Sequence, residues 1–482
     1  MTPEAPAAGQ VRGKRPSDAI GADGWAAATD ELVATLRHLI RIPSINPPDP
    51  PGAELEAANW IAAALQDEGL RPEVLEPVPG RGSVAARLLG DGSGGDPLLL
   101  LAHVDVVPAP ADEWTHDPFA ADVADGYVWG RGAVDMKNLL AMEIEVVRLL
   151  AREARAAGRD PASDPIPGLT RDILFVASAD EEAGGIDGAS WIVNHRPELV
   201  RAAGAINESG AIATPVGGRT FYPIMVAEKG YAVFRITVHG TWGHGSMPRD
   251  DNAAVLASEA VRRLAVPGEP RITTVMETFL RGVEAGLPPR FGPLLRSIAA
   301  GSDPSAANDA CDLTHARALR ALVRNTISTG VLRAGVKYNV IPGKAQIEID
   351  CRQLPGTSVE AMRQEVLGRL GDLGPACDVE LLIAAEPVEA STDTDLYRAL
   401  EATLRDHDPD GVPLPVMAPF ATDGKHLVRL GVPSYGFSPL QLEPAERYLD
   451  RFHGVDERVG IDALRWGLPV LYDAVRRFCG PA

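Results

Sequence analysis

The sequence predicts an α/β fold, a mostly parallel sheet flanked by helices, interrupted by an inserted α+β domain. Three observations carry this reading. Between residues 97 and 208, short apolar runs with acidic or histidine-bearing tips alternate with amphipathic helical stretches, as in a sheet covered on both faces. Near Glu228 the pattern switches to the period-two alternation of YAVFRITVHG, which marks half-exposed antiparallel strands. At 482 residues the chain is also too long for one ordinary core, so two domains are expected.

Taken in order, residues 1–24 hold a few positive charges but no apolar run of signal-peptide length, and are expected to be a disordered leader. Apolar residues at helical spacing fill 25–42, and the prolines of RIPSINPPD end that helix. A second amphipathic helix spans 53–69 and stops at a glycine. Residues 84–89 and 97–102 (PLLLLA) read as strands separated by GDGSGGD. That glycine cluster is read as a turn, since a strand follows it and no GK[ST] does. HVDVV, a loop, and GRGAVDMKNLLAMEIEVVRLLARE then give a turn running into a long helix. ILFVAS at 173–178 is a short strand tipped by ADEEAGG; a helix at 188–194 leads to the apolar pair 205–206 and NESG.

The inserted domain is expected at 228–386, with strands at the YAVFRITVHG segment, 337–351 and 377–383, and helices at 253–264 and 360–370. An extra helical segment at about 266–335 embellishes it. The first architecture, 25–227, resumes at 387–482 with helices at 395–404 and 460–478.

Composition bounds the function. Hydrophobic residues at 45% and charged residues at 23% describe a globular protein. A net charge of −20 disfavours nucleic acid and anionic membranes as partners, because both reward a basic face. No stretch reaches the roughly 18 continuous apolar residues of a membrane span. Cys311, Cys351, Cys377 and Cys479 are scattered without metal-site or framework spacing, which favours a reduced, cytoplasmic protein.

Five residues able to bind metal stand out: His103, Asp135, Glu182, Glu208 and His453, with a further carboxylate, Glu181, beside the third. Most follow a predicted strand or open a helix, where side chains far apart in sequence can converge. Two histidines and three carboxylates suit two divalent cations if one carboxylate bridges them. Each has a plainer alternative: His103 as a core histidine, Asp135 as a helix N-cap, Glu182 as a solvated surface carboxylate, Glu208 as a turn cap, His453 as a turn histidine. Asp105, two residues after His103, lies on the same strand face and can hold the other imidazole nitrogen. Adjacent carboxylates at a buried strand end require compensation, which cations provide. If the segment stays extended, Glu181 and Glu182 are expected to point in opposite directions, so that one can ligate while the other faces the substrate.

The ordered set HVD, GRGAVDMK, ADEE, NESG and FHGVDE resembles the zinc-dependent aminoacylase and carboxypeptidase superfamily. The resemblance runs from about Leu32 to Phe478 and includes IPSINPPD and NVIPGKAQIEIDCR. It implies a zinc-peptidase type of α/β sheet, with the insertion as a lid and dimerisation domain pairing two copies. It also implies two Zn2+ per subunit, replaceable by Co2+ or Mn2+. His103 and Glu208 would hold one ion, Glu182 and His453 the other, with Asp135 between them and Asp105 orienting His103. Glu181 would be the general base that takes a proton from the metal-bridging water and passes it to the leaving amine. By the same resemblance, His244 in WGHGSMP would donate to the oxyanion, often across a dimer. Arg352 would clamp the substrate carboxylate, with Asn339 as a companion contact. Phe420 and Ala421 stand where many relatives have paired glycines.

The expected activity is hydrolysis of the amide bond of short peptides or N-acyl amino acids, with GVPSYGFSPL, FHGVDERV and the insertion pointing to the Gly-X carboxypeptidase and N-acyl amino acid hydrolase branch. The alternatives are a biosynthetic deacylase of succinyl-diaminopimelate or acetyl-ornithine type, and a non-catalytic metal- or peptide-binding homologue. Glu181 argues against the last, because a binder needs ligands but no base.

Overall fold

The computed structural model describes residues 15–46, 53–289, 291–300, 313–442 and 448–481. At its centre four strands run parallel, in the spatial order Ile173–Ser178, Leu98–His103, Gly204–Asn207, Ser434–Gly436. The apolar sequences LLLLA and ILFVA are buried along their whole length, as expected where both faces are covered. The flanks are mixed. Arg81–Leu88 pairs antiparallel with Ile173–Ser178 and leads out to Glu73–Val78. On the other side Arg219–Glu228 contacts Ser434–Gly436 antiparallel and pairs parallel with Val412–Ala418.

Helices Gly21–Arg41, Lys137–Ala156 and Ile461–Cys479 pack together on one face of the sheet. The first presents Leu32, Leu36, Leu39 and Ile40 to the main core at helical spacing, all fully buried. Ala189–His195 and Gly424–Leu427 cover the opposite face beside Leu99, Leu101 and Val176. No helix among the described residues is long and apolar enough to cross a membrane.

A second, antiparallel sheet has the order Thr326–Ala334, Lys344–Gln353, Gly230–His239, Cys377–Ala385. Burial alternates residue by residue along Gly230–His239. One face therefore packs Phe234, Ile236, Ile347 and Ile349 against helices Ala253–Leu264 and Val359–Leu370, forming a separate core. Both helices begin at N-caps whose side chains accept from the first turn, Asn252 from Ala254 N–H and Ser358 from Ala361 N–H. Val388–Glu389 returns the chain to the first sheet.

Two expectations need correction. The expected leader, residues 1–24, overlaps folded structure: Pro16–Ala19 and the start of helix Gly21–Arg41 are ordered elements. Ser17 is buried and bonds through both its N–H and its hydroxyl to Asp473 on helix Ile461–Cys479. That tether pairs residues 456 apart, so local pattern cannot reveal it. The segment 266–335, assigned to the inserted domain, divides between the two cores. Thr326–Ala334 is a strand of the second sheet, whereas helices Thr274–Gly286, Phe291–Ala300 and Leu313–Leu322 add Leu280, Leu295 and Leu319 to the main core. Gly282 and Gly286 make this docking close: a Cβ at Gly282 would collide with Leu414, and one at Gly286 would press on the Phe221 ring. Residues 1–14, the prolines at 47–48, and 301–312 with Cys311 lie outside the described residues. Cys351, Cys377 and Cys479 are free thiols.

Candidate metal centre

Three parallel strands end together, and their tips carry the site. His103 is the last residue of its strand, Glu208 follows Gly204–Asn207, and Glu181 and Glu182 lie just beyond Ile173–Ser178. Asp135 comes from the turn before helix Lys137–Ala156, and His453 from the loop before Arg458–Gly460. The structure brings all five predicted ligands into two overlapping groups: His103, Asp135 and Glu208; and Asp135, Glu182 and His453. Within each group the donor atoms lie within 4.8 Å of one another.

Asp135 is common to both groups, one carboxylate oxygen 3.4 Å from His103 Nε2 and the other 3.2 Å from His453 Nε2. His103 Nε2 is 3.8 Å from Glu208, and His453 Nε2 is 3.1 Å from Glu182. Ligand atoms about 2.0–2.2 Å from a tetrahedral ion stand roughly 3.4 Å apart, so these separations bracket those of a shared coordination sphere. His103 Nε2 and Glu182 Oε1 are buried without a hydrogen-bond partner. Buried polar atoms are normally satisfied, and a cation would satisfy both. The donor set therefore fits divalent metal.

The electrostatics agree. Burial works against charge on His103, but Asp105, Asp135 and Glu208 outweigh it and hold the imidazole well above its usual range. Hydrogen bonds to Asp135 and Glu182 push His453 up to about 10. Burial drives Glu208 up to about 7, opposed by His103. Protons thus offset negative charge that a metal would otherwise balance.

Asp105 lies behind this centre. His103 Nδ1 is 3.1 Å from the Asp105 carbonyl oxygen and 3.4 Å from its carboxylate, which leaves Nε2 facing Asp135 and Glu208. The same carboxylate accepts from the backbone N–H of Glu181 and Glu182 and from Asn46. It thereby couples the histidine to the acidic turn. That turn begins with Asp180 in the left-handed region at φ 68°, held by Arg81 and the Asp187 N–H. Glu181 belongs to neither ligand group. Burial raises its pKa well above the usual carboxylate range, with Lys425 opposing from 3.5 Å.

A cleft of about 500 Å³ opens over the centre. Tyr231, Val233, Arg352 and Ile383 of the second sheet form one wall, and Phe420, Ala421 and Phe452 line it from the first domain. Arg352 lies over the Tyr231 ring and makes two parallel hydrogen bonds to Asp350, at 2.9 and 3.0 Å. His244 and Asn339 are not among the cleft-lining residues. His244 is exposed and 2.8 Å from Ser246 Oγ. The Asn339 carbonyl accepts from Gly245 N–H, and its side-chain Oδ1 is buried without a partner.

Sequence reasoning missed three contributors. Glu457 is fully buried, and its two oxygens accept from the backbone N–H of Gly132, Val134 and Asp135 and from Arg131. It holds the turn that presents Asp135. Lys425, in FATDGKH, neighbours Glu181 and Asp423. Asn46, in IPSIN, holds Asp105. Glu457 lies inside a motif already singled out, FHGVDE, but its partners are more than 320 residues away in sequence.

The model for Peptidase family M20/M25/M40 matches residues 99–477. N-fatty-acyl-amino acid synthase/hydrolase PM20D1 of Xenopus tropicalis is 28% identical over 456 residues, covering 90% of this chain and 83% of that protein. Probable carboxypeptidase S-like 2 of Dictyostelium discoideum is 31% identical over 384 residues, 76% of this chain and 68% of that protein. Among solved structures, the M20 family metallo-carboxypeptidase Sso-CP2 from Sulfolobus solfataricus superposes with a TM-score of 0.67 at 18% identity, over 93% of this chain and 99% of that one.

Proposed function

The chain belongs to peptidase family M20/M25/M40 and is a metal-dependent hydrolase of amide bonds; on that premise we propose that it cleaves N-acyl amino acids or short peptides at the amide next to a terminal carboxylate. The observation that carries this reading is a shared Asp135 between two ligand groups, with a half-buried carboxylate, Glu181, outside both. His103 and Glu208 would hold one zinc ion, Glu182 and His453 the other, and Asp135 both. When bound, the ions supply Lewis-acid chemistry, polarising the scissile carbonyl and making water acidic enough to attack near neutral pH.

The chain's own residues do the rest. Glu181 takes a proton from the attacking water as the new C–O bond forms. It returns that proton to the amine nitrogen as the C–N bond breaks, giving a carboxylic acid and a free amine. A carboxyl raised by burial and restrained by Lys425 suits both directions of transfer. Asp105 and Asn46 keep the His103 ring oriented. Arg352 on the cleft wall receives the substrate carboxylate by exchanging its contact with Asp350. His244, exposed and away from its own cleft, serves the site of a second copy, with Asn339 beside it.

The N-acyl amino acid form is favoured by the PM20D1 relatives, which are named as synthase/hydrolases of N-fatty-acyl-amino acids. The test is Glu181→Gln, assayed on N-acyl amino acids and dipeptides with zinc, cobalt and manganese. Turnover should fall by a factor of about 10²–10⁴ with metal content unchanged. Wild-type protein that cleaves none of these substrates would sink the reading. Rescue of activity on mixing inactive His244→Ala with inactive Glu181→Gln supports the shared site; no rescue despite subunit exchange excludes it.

A further inference from the structure

Beside the metal cleft lies a second cavity, of about 190 Å³, with almost entirely aliphatic and aromatic walls. The extra helices build one side of it, through Leu280 and Val283 of Thr274–Gly286 and Leu319 of Leu313–Leu322. Val416 on strand Val412–Ala418, against which Thr274–Gly286 packs, also lines it. Protein interiors contain few voids larger than a water molecule, so a space of this size is not ordinary packing. An apolar cavity of about 150 Å³ holds a six-carbon ring; in proportion, this one holds about eight carbons.

The cavity begins where the metal centre ends. Ser209, which follows Glu208, lines it, as does Phe452, which precedes His453. Phe420 and Phe452 line both spaces, their ring centroids 6.4 Å apart. We infer that this cavity receives the acyl arm of an N-acyl amino acid, a medium-length hydrocarbon chain of about eight carbons. The inference rests on the proposed hydrolase reading and adds where the acyl chain binds and the length it favours.

Orientation follows from the substrate's own connectivity. With the scissile carbonyl at the metal centre, the acyl chain leaves directly from the carbonyl carbon. The amino-acid side chain sits instead on the carbon that carries the carboxylate, on the side bound by Arg352. Arg352 belongs to the second-sheet wall of the cleft, whereas the shared aromatics Phe420 and Phe452 belong to the first domain. The apolar arm next to the metal centre is therefore the acyl one. The segment 266–335 acquires a role: its helices form a wall of the acyl site.

The test uses N-acylglycines from acetyl to dodecanoyl, because glycine has no side chain to fill the cavity. Wild-type kcat/KM should rise about two- to fourfold per methylene and level off near eight carbons. N-acetyl-2-aminooctanoate, with its long arm on the amino acid, should gain nothing comparable. Val283→Phe, or Leu319→Phe if the first does not fold, should lower the octanoyl-to-acetyl ratio of kcat/KM at least tenfold. The preference should also persist as octanoyl-over-acetyl binding by the Glu181→Gln protein in calorimetry. A flat series, an unmoved ratio in a folded variant, or an equal gain from 2-aminooctanoate overturns the acyl assignment while leaving the hydrolase standing. Failure to cleave any acyl length removes both.

Discussion

Glu457→Gln tests how Asp135, the carboxylate common to both ligand groups, is held. One Glu457 oxygen accepts from Val134 and Asp135 N–H at 2.7 and 3.0 Å, the other from Arg131 at 2.7 Å and Gly132 N–H at 3.0 Å. Glutamine keeps one acceptor and turns the other position into a donor. Whichever way the amide lies, two buried donors then face an N–H. At about 1–3 kcal/mol for each donor left unsatisfied, the turn from Arg131 to Asp135 loses roughly 2–6 kcal/mol. The turn presents Asp135 to both metal groups, so the loss appears mainly at the centre, as a 10–100-fold fall in metal affinity. Metal titration by calorimetry reads the affinity, and far-ultraviolet circular dichroism confirms the fold. A folded variant that binds metal and turns over like wild type would refute the reasoning.

Other perturbations probe separate features. Glu145 is buried on helix Lys137–Ala156, and burial pushes it from 4.5 up to about 7, with Glu31 adding and Arg148 and Arg152 opposing. Its folded pKa exceeds the unfolded one, so stability falls as pH rises from about 4.5 to 7. Glu145→Gln should match wild type near pH 4 and be more stable near pH 8, by up to about 3 kcal/mol; an identical urea midpoint at pH 8 would contradict this. At Gly188 a Cβ would collide with the Ala179 carbonyl oxygen, which is fixed backbone. Gly188→Ala should therefore cost about 1–3 kcal/mol and disturb the turn bearing Glu181 and Glu182; full stability and full metal content would count against the close approach. Arg352→Lys loses the planar fork, so KM should rise about tenfold or more with a smaller change in kcat. An unchanged KM would remove Arg352 from carboxylate binding.

Much of the site was legible because its residues stand at element ends that local pattern marks. LLLLA before His103 and ILFVAS before the acidic tip are continuous apolar runs too short for a helix, as expected of strands covered on both faces. The alternation in YAVFRITVHG likewise announced a sheet with one exposed face. Strand Val412–Ala418 escaped notice because its two prolines disguise it, yet it pairs in parallel with Arg219–Glu228. Glu457, Lys425 and Asn46 escaped because nothing in their own neighbourhoods distinguishes a buried positioning group from a solvated one.

The sequence by itself determined the order of chemistry along the chain: His103, Glu182 and Glu208 after apolar strands, Asp135 in the turn that opens a helix, His453 in a loop, and Glu181 beside Glu182. The element ends rest on periodicities of a few residues, which a linear string records directly; the ligand roles rest on the resemblance of the ordered motif set. Tertiary structure alone decided that Glu457 holds the turn presenting Asp135, and that the helices within 266–335 pack on the first domain and open a cavity beside the candidate metal ligands. Each depends on contacts between distant segments, where packing and hydrogen bonding select among arrangements that local pattern leaves equally allowed.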